Sequence, residues 1–485
     1  MKSWQPIMPR SKSEICVVGG GPAGSIIGSQ LARLGHETVI IDRLQPTQRH
    51  RVESFAPPIV SILDSLGLSD AITTATVQRE RRALVRWESN SIQPKLLEPP
   101  ALLIERSLFD QRLRQSAAKA GAFVLSPARA RTPERKPSGG WEISATTSEG
   151  TVTITADFLV DARGKRRSTT IHQEGPPTIA LSTVWNIPDD SFGETRIEAA
   201  ENEWLWGCPL HARRYLATIF LDPARLAGLC ESDRVALFRK LLSNSELLGD
   251  LLYGEMITPI FVRDATSRIV NDLIGHDFIR TGEAAFSIDP LSSQGVQRAI
   301  LSAIQGGAAV HTIRTGQDSA AAMAFYRDRQ YGAAQQANLN AMRLYKESRY
   351  HLGRFWTGRR ETIESTPSVV EHRNEVPSSL PSYVRLSEAL QIVEAPVLSG
   401  SVIRPALGLS HPRLEQPIAY LGGIALAPLA ADLADGLTSE QLLTRWTERM
   451  PLQTACYIFR WMWAYGILET VQQSKQSRRI LSSHQ

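Results

Sequence analysis

The sequence predicts an α/β fold in three parts: an open parallel sheet flanked by helices, an antiparallel sheet inserted into it, and a small, mainly helical C-terminal domain. Three observations predict it. A short apolar run, Ile15–Val18, ends in Gly19-Gly20-Gly21-Pro22-Ala23-Gly24 and leads into apolar residues at helical spacing. Stretches at 81–104 and 178–262 alternate apolar and polar residues in places, as in Tyr215–Leu221, and a period of two is that of a strand. Finally, residues 365–382 carry Pro367, Pro377 and Pro381 among Ser and Glu, and a compact apolar pattern follows at 383–472.

The first part is the most strongly specified. After the glycine run, Ile26, Ile27, Leu31 and Leu34 recur with helical period, and Gly35 closes the helix. Thr38–Ile41 is a second β-branched run ending at Asp42-Arg43. Gly19, Gly21 and Gly24 form GxGxxG: one glycine permits a tight turn, one lets the backbone approach a pyrophosphate, and one lets the helix pack on the strand. The helix N-terminus, with Pro22 and Ala23 in its first turn, offers amides and partial positive charge to phosphates. Asp42, 42 − 19 = 23 residues on, stands where an acid binds ribose hydroxyls. This is a Rossmann-like strand–turn–helix–strand unit for a dinucleotide. Phe278–Arg280 reads as a further buried strand, and Val296–Val310 as a small-residue helix.

The remaining parts follow from pattern and composition. The nucleotide domain is assigned to 12–80, 105–177 and 263–330, the sheet domain to 81–104 and 178–262, a helical segment and linker to 331–382, and the small domain to 383–472. In the last, Thr438 or Ser439 caps a helix, and 457–468 reads as a second one with Ile458, Trp461, Met462 and Tyr465 on one stripe, a winged-helix-like pattern. Residues 473–485 are polar and read as frayed. A length of 485 residues requires two or three domains. A net charge of +5 suits an anionic cofactor and does not point to nucleic acid. Cys16, Cys208, Cys230 and Cys456 form no CxxC pair, and no His cluster has ligand spacing, so no metal site or disulfide framework is expected. Residues 1–14 lack an apolar core of signal length, and no run spans a bilayer; the expectation is a cytoplasmic enzyme without a membrane partner.

Two further segments distinguish FAD from NAD. The run 158–168, with Asp161, Arg163 and Gly164, resembles the "DG" segment of aromatic hydroxylases. The run 282–290, with Glu283, Asp289 and Pro290, resembles their "GD" segment, and Leu291-Ser292-Ser293-Gln294-Gly295-Val296 then opens a helix. Together with Ile104-Glu105-Arg106-Ser107-Leu108-Phe109-Asp110, these motifs resemble the FAD monooxygenase superfamily that includes p-hydroxybenzoate hydroxylase and the tryptophan halogenases. The resemblance implies FAD as cofactor on a glutathione-reductase-type domain. It places Gly19, Gly21, Pro22, Ala23, Gly24, Asp42, Arg43, Arg106, Ala130, Asp161, Gly164, Glu283, Asp289, Pro290, Ser293, Gly295 and Val296 at the cofactor. The "GD" acid is Glu283 here, one methylene longer, so either Glu283 or Asp289 meets the ribityl hydroxyls.

Val52-Glu53-Ser54-Phe55-Ala56-Pro57-Pro58 and Trp204-Leu205-Trp206-Gly207-Cys208-Pro209 resemble the halogenase-like branch. Arg82 stands where halogenases carry their lysine, which disfavours halogenation because a guanidinium does not readily lose its proton. A solvated strand end is the plainer reading of Arg82, and core packing that of Trp204 and Trp206. Over residues 12–330 the chain resembles the peptidyl-tryptophan hydroxylases of tryptophylquinone biogenesis. That implies hydroxylation, or dihydroxylation, of a tryptophan in a small protein substrate through a flavin C4a-hydroperoxide, with a radical-SAM crosslinking enzyme as a further partner. Arg82, Trp204, Trp206 and Gln294 are the candidates near flavin or substrate. Hydroxylation or halogenation of a small aromatic, and a redox-inactive flavoprotein scaffold, stand as alternatives.

Overall fold

The computed structural model describes residues 12–43, 52–165, 171–173, 175–187, 192–211, 213–360, 383–414, 416–433 and 437–470. The linker at 365–382, the polar end at 473–485 and the last part of the "DG" run, 166–168, lie outside them. Over the described residues the chain divides into two compact units, one of 1–319 and 326–363, the other of 320–325 and 364–485.

In the first unit, strand Lys12–Val18 pairs in parallel with Thr38–Ile41 and with Gly150–Asp161. Phe123–Leu125 extends the sheet beyond Thr38–Ile41, and Phe278–Arg280 joins the end of Gly150–Asp161, both in parallel. Trp141–Thr147 continues the other side as an antiparallel neighbour, with the short strands Arg129–Ala130 and Glu134–Arg135 beyond it. Ile15, Cys16, Val17, Ile40 and Val160 are buried, as strands covered on both faces require. Helix Pro22–Arg33 lies on one face and buries Ile26, Ile27 and Leu31, each worth roughly 1.5–3 kcal/mol. Its Gly28 permits a close approach, since a Cβ there would lie 2.6 Å from Ile40 Cδ1.

A second, nine-stranded sheet is built mainly from 76–105 and 179–264. Its order runs Glu255–Met256, Ile179–Asn186, Arg214–Leu221, Glu203–Pro209, Thr195–Ala199, Thr76–Arg86, Gln93–Glu105 and Val52–Phe55, with Phe261–Asp264 also on Ile179–Asn186. The sheet is not wholly antiparallel as expected: Thr195–Ala199 runs parallel to Thr76–Arg86, because a long connection rather than a hairpin separates them. One face carries Leu181, Trp185, Leu205, Tyr215 and Ile219 and packs on Phe238, Leu241 and Leu242 of helix Glu231–Ser243. The other carries Trp204, Phe220 and Ala180 and packs on Trp87, Tyr345 and Trp356, with Trp206 and Leu291 at its margin.

The second unit has its own core, centred on Leu426, Leu442, Trp446, Ile458, Phe459 and Met462. Helix Ser439–Thr447 begins at a capping box in which Thr438 Oγ1 accepts from Gln441 N and Gln441 Oε1 accepts from Thr438 N. The next helix is Leu452–Ala464 rather than 457–468: Pro451 starts it, and Gly466 at φ +69° stops it before Leu468, which belongs to a strand paired with Val384–Leu386. Trp461 and Tyr465 are only partly buried. A two-stranded ribbon, Gln391–Ser399 with Val402–Ser410, sets Pro396 directly opposite Pro405.

Candidate functional site

The three sequence motifs converge because their glycines allow it. Gly19 sits at φ +111°, and a Cβ there would lie 2.3 Å from the Ala162 carbonyl oxygen in the "DG" run. At Gly24 a Cβ would meet the Gly19 carbonyl oxygen at 1.8 Å and Ala162 Cβ at 3.1 Å. Gly282, at φ +64°, brings the "GD" turn against the glycine helix, with Ala23 Cβ 2.7 Å from where its own Cβ would stand. Gly21 differs from these. It is the N-cap of the helix, in extended backbone, and a Cβ on it would meet nothing within 4 Å. The open space in front of Gly21, beside first-turn amides that have no helical acceptor, fits a pyrophosphate.

Asp42 ends its strand beside this loop. Its Oδ1 accepts from Gly20 N at 3.1 Å, and Arg114 Nη1 lies 3.1 Å from its Oδ2 and donates to the Gly20 carbonyl at 3.2 Å. Arg43 next to it is exposed. Ala130 lies on the short strand Arg129–Ala130, two residues beyond Ala128, whose amide bonds the Asp42 carbonyl at 2.7 Å. Asp161 holds Arg163 through two 2.7 Å bonds, from Nε and Nη2. Arg106 is buried, with Nη1 on Glu53 at 2.8 Å and Nε and Nη2 on Asp110 at 3.1 and 3.2 Å. Burial opposes its charge, but the Asp110 and Glu53 carboxylates outweigh burial and keep it protonated.

The two candidate ribityl acids occupy different environments. Glu283 is exposed, with Oε2 3.9 Å from where a Gly164 Cβ would stand. Asp289 is buried: its Oδ1 accepts from Leu291 N at 2.9 Å, and both oxygens lie 3.1 Å from the Tyr345 hydroxyl. Burial pushes the Asp289 carboxyl up, against the Leu291 amide and nearby cations. Its structural bonds leave Glu283 as the acid facing the open side. Pro290 begins a short 3-10 turn that ends at Ser293, φ +51°, and Gly295 opens helix Gly295–Arg314 with Gln294 as N-cap. Val296 is buried under that first turn.

Over the second sheet, Trp204 is buried and stacks on Phe220, ring centroids 3.8 Å apart and 10° from parallel. It is a core residue, whereas Trp206 is half-buried on the same face. Arg82 is 56% exposed and pairs with Glu194 at 2.7 Å, the solvated strand end of the plainer reading. Three groups escaped the sequence reading. Arg114 had a legible signal, for Arg106, Asp110 and Arg114 recur at helical spacing. Lys165 follows Gly164 directly; its Nζ donates to the Thr266 and Asp264 carbonyls, and burial, with Arg268 nearby, lowers its pKa to about 8. Tyr345 gave no signal. Among the described residues no group of three or more His, Cys, Asp or Glu is placed to hold a metal, and no helix is long and apolar enough to cross a membrane.

Residues 12–211 match the FAD binding domain family. FAD is the cofactor of this chain, which is a flavin-dependent oxidoreductase similar to the FAD-dependent halogenases and hydroxylases. The chain is 28% identical to tryptophan 2-halogenase of Chondromyces crocatus over 339 residues, which is 65% of each protein. It is 24% identical to LodB of Marinomonas mediterranea, an FAD-dependent oxidoreductase by its name, over 71% of this chain and 95% of that one. Among solved structures, the peptidyl tryptophan dihydroxylase QhpG, described as essential for tryptophylquinone cofactor biogenesis, superposes with a TM-score of 0.71 at 23% identity, covering 94% of this chain and 99% of its own. The flavin-dependent halogenase CmlS superposes at 0.73 and 20%, covering 95% and 96%. These likenesses give the fold.

Proposed function

We propose that this flavoprotein hydroxylates, and in full dihydroxylates, a tryptophan ring carried by a small protein substrate. The observation that carries the reading is Arg82: on the strand where halogenases present a lysine, this chain has an exposed arginine paired with Glu194. Bound and reduced, FAD supplies electrophilic oxygen from O2, and an indole ring is nucleophilic enough to take it. The chain's own residues bind, orient and shield. The open space at Gly21 and the first-turn N–H groups of Ala23 and Gly24 take the pyrophosphate, and Asp42, held by Gly20 and Arg114, takes the adenosine ribose. Glu283, opposite Gly164, takes the ribityl hydroxyls. The N-terminus of helix Gly295–Arg314 stabilises negative charge at the ring end of the cofactor. The Trp206 face of the second sheet orients the substrate ring and keeps water out. The likeness to QhpG, over 94% of this chain, supports this branch, and that to CmlS, over 95%, supports the halogenase alternative.

The test incubates reduced enzyme, O2 and the candidate small subunit, with and without its radical-SAM crosslinking enzyme, and sequences the digest by mass spectrometry. Two oxygens added to one tryptophan are expected. Tightly coupled hydroxylation of a free small aromatic, with no protein modified, would refute the reading. A halogenase reading draws support from the 28% identity to tryptophan 2-halogenase and from the half-shielded amine of Lys165. Halide turnover decides between them.

A further inference from the structure

The face of the second sheet that packs against the Asp289–Leu291 turn contains one row in which every member but Thr218 is half-buried. Cross-strand register places Phe261 opposite Ser182, Ser182 opposite Thr218, Thr218 opposite Trp206, Trp206 opposite Ile197, and Ile197 opposite Val85. The neighbouring row is closed: Ala180, Phe220, Trp204 and Ala199 are all buried. Phe261, Ser182, Trp206, Ile197 and Val85 each keep part of their surface. Six strands at about 4.8 Å make the row about 24 Å wide.

The row is apolar except at one place. Ser182 Oγ and Thr218 Oγ1 are 2.9 Å apart, with Thr218 buried and Ser182 half-buried. Two hydroxyls carry two O–H donors and four lone pairs; their mutual bond uses one of each and leaves Ser182 able to accept or donate one bond more. One strand further, Trp206 offers an aromatic face. An aromatic surface two strands, about 9.6 Å, from the available Ser182 hydroxyl matches a bicyclic ring bearing one N–H at its far edge.

We propose that Trp206, Ser182 and Thr218 form an indole-recognition subsite: the substrate ring stacks on Trp206, and its N–H donates to Ser182 Oγ, which Thr218 holds in place. The inference rests on the reading that the reacting group is a tryptophan ring, and it adds the residues that select it. Ser182 is the contact group, and Thr218 acts through it as a positioning residue.

The test measures binding rather than turnover. Oxidised holoenzyme is titrated calorimetrically with indole and with benzothiophene, which has the same bicyclic outline and no N–H. Indole should bind about tenfold more tightly, the worth of one net hydrogen bond. Ser182→Ala should bring the two ligands within about twofold, Thr218→Val should give a smaller narrowing, and Trp206→Leu should weaken both alike. Equal binding by the wild-type protein, a preference that survives Ser182→Ala, or no binding of either ring at millimolar concentration would overturn the subsite. The bound FAD spectrum of each variant reports that the fold is intact. An N–H preference abolished by Ser182→Ala, together with a protein substrate left unmodified, would sustain the subsite and refute the proposed reaction.

Discussion

Gly21→Val separates the fold from the cofactor. Gly21 lies at φ −75°, ψ −169°, a conformation open to any residue, and its Cβ would meet no protein atom within 4 Å. The apoprotein should therefore tolerate the change, losing about 0.5–1 kcal/mol because valine is a poorer helix N-cap than glycine. The space the side chain fills is where the pyrophosphate approaches the helix. Losing two charge-assisted backbone bonds at roughly 1.5–3 kcal/mol each weakens FAD by about 10²- to 10⁴-fold. Two measurements check this: thermal unfolding of the apoproteins by circular dichroism, and titration of each with FAD followed by flavin absorbance. Near-equal unfolding with lost flavin is expected. A variant that keeps stoichiometric, tightly bound FAD would refute the assignment of this loop.

Gly24→Ala should do the reverse, destabilising the apoprotein by about 3 kcal/mol, because its Cβ meets the Gly19 carbonyl oxygen at 1.8 Å; unchanged denaturant unfolding would count against this packing. With bromide, reduced FAD, O2 and free tryptophan, no bromotryptophan should appear by mass spectrometry, since Arg82 cannot serve as the amine. Lys165 gives a pH signature. Its pKa falls from 10.5 to about 8 on folding, so the unfolded chain holds the extra proton between those values and wild-type stability rises with pH there. Relative to Lys165→Met, the wild type should be flat below pH 8 and gain about 1.4 kcal/mol per unit from pH 8 to 10.5; a flat difference throughout would remove the shielded-amine reading. Deleting residues 383–485 should leave the flavin spectrum unchanged and weaken capture of the protein substrate; loss of flavin would instead place that segment in the catalytic core.

What the sequence made legible was local chemistry with a fixed spacing. The glycine loop, its helix and Asp42 are neighbours in the chain, and each has a conformational signature, so their arrangement followed from the residues. The convergence of the "DG" and "GD" runs was reachable only through resemblance, because Ala162 and Gly282 meet the loop across long separations. Tyr345 bonds Asp289 across 56 residues, and nothing in either neighbourhood signals it. The parallel pairing of Thr195–Ala199 with Thr76–Arg86 was hidden for the same reason: strand period reveals faces, not partners. Trp204 and Trp206 alternate identically in sequence, and only the third dimension shows that Phe220 covers one of them and leaves the other half-open.

The ribbon of the C-terminal unit limits how an extended peptide could pair with it. A proline has no amide proton, and Pro396 and Pro405 face each other midway along the two strands. In an unbroken antiparallel ladder such a pair occupies a site whose amides would point outward, so each outer margin lacks a donor at its centre. An extended peptide zipping onto the Gln391–Ser399 margin would meet a gap after a few residues, and the Val402–Ser410 margin carries the same gap and is already paired with Ile418 at Leu409. A guest chain must be gripped through side chains instead: the exposed Leu407 and Ile392 on the ribbon, or Leu452 and Tyr457 on the helix after Pro451. Recognition of that kind would read residue identity rather than backbone.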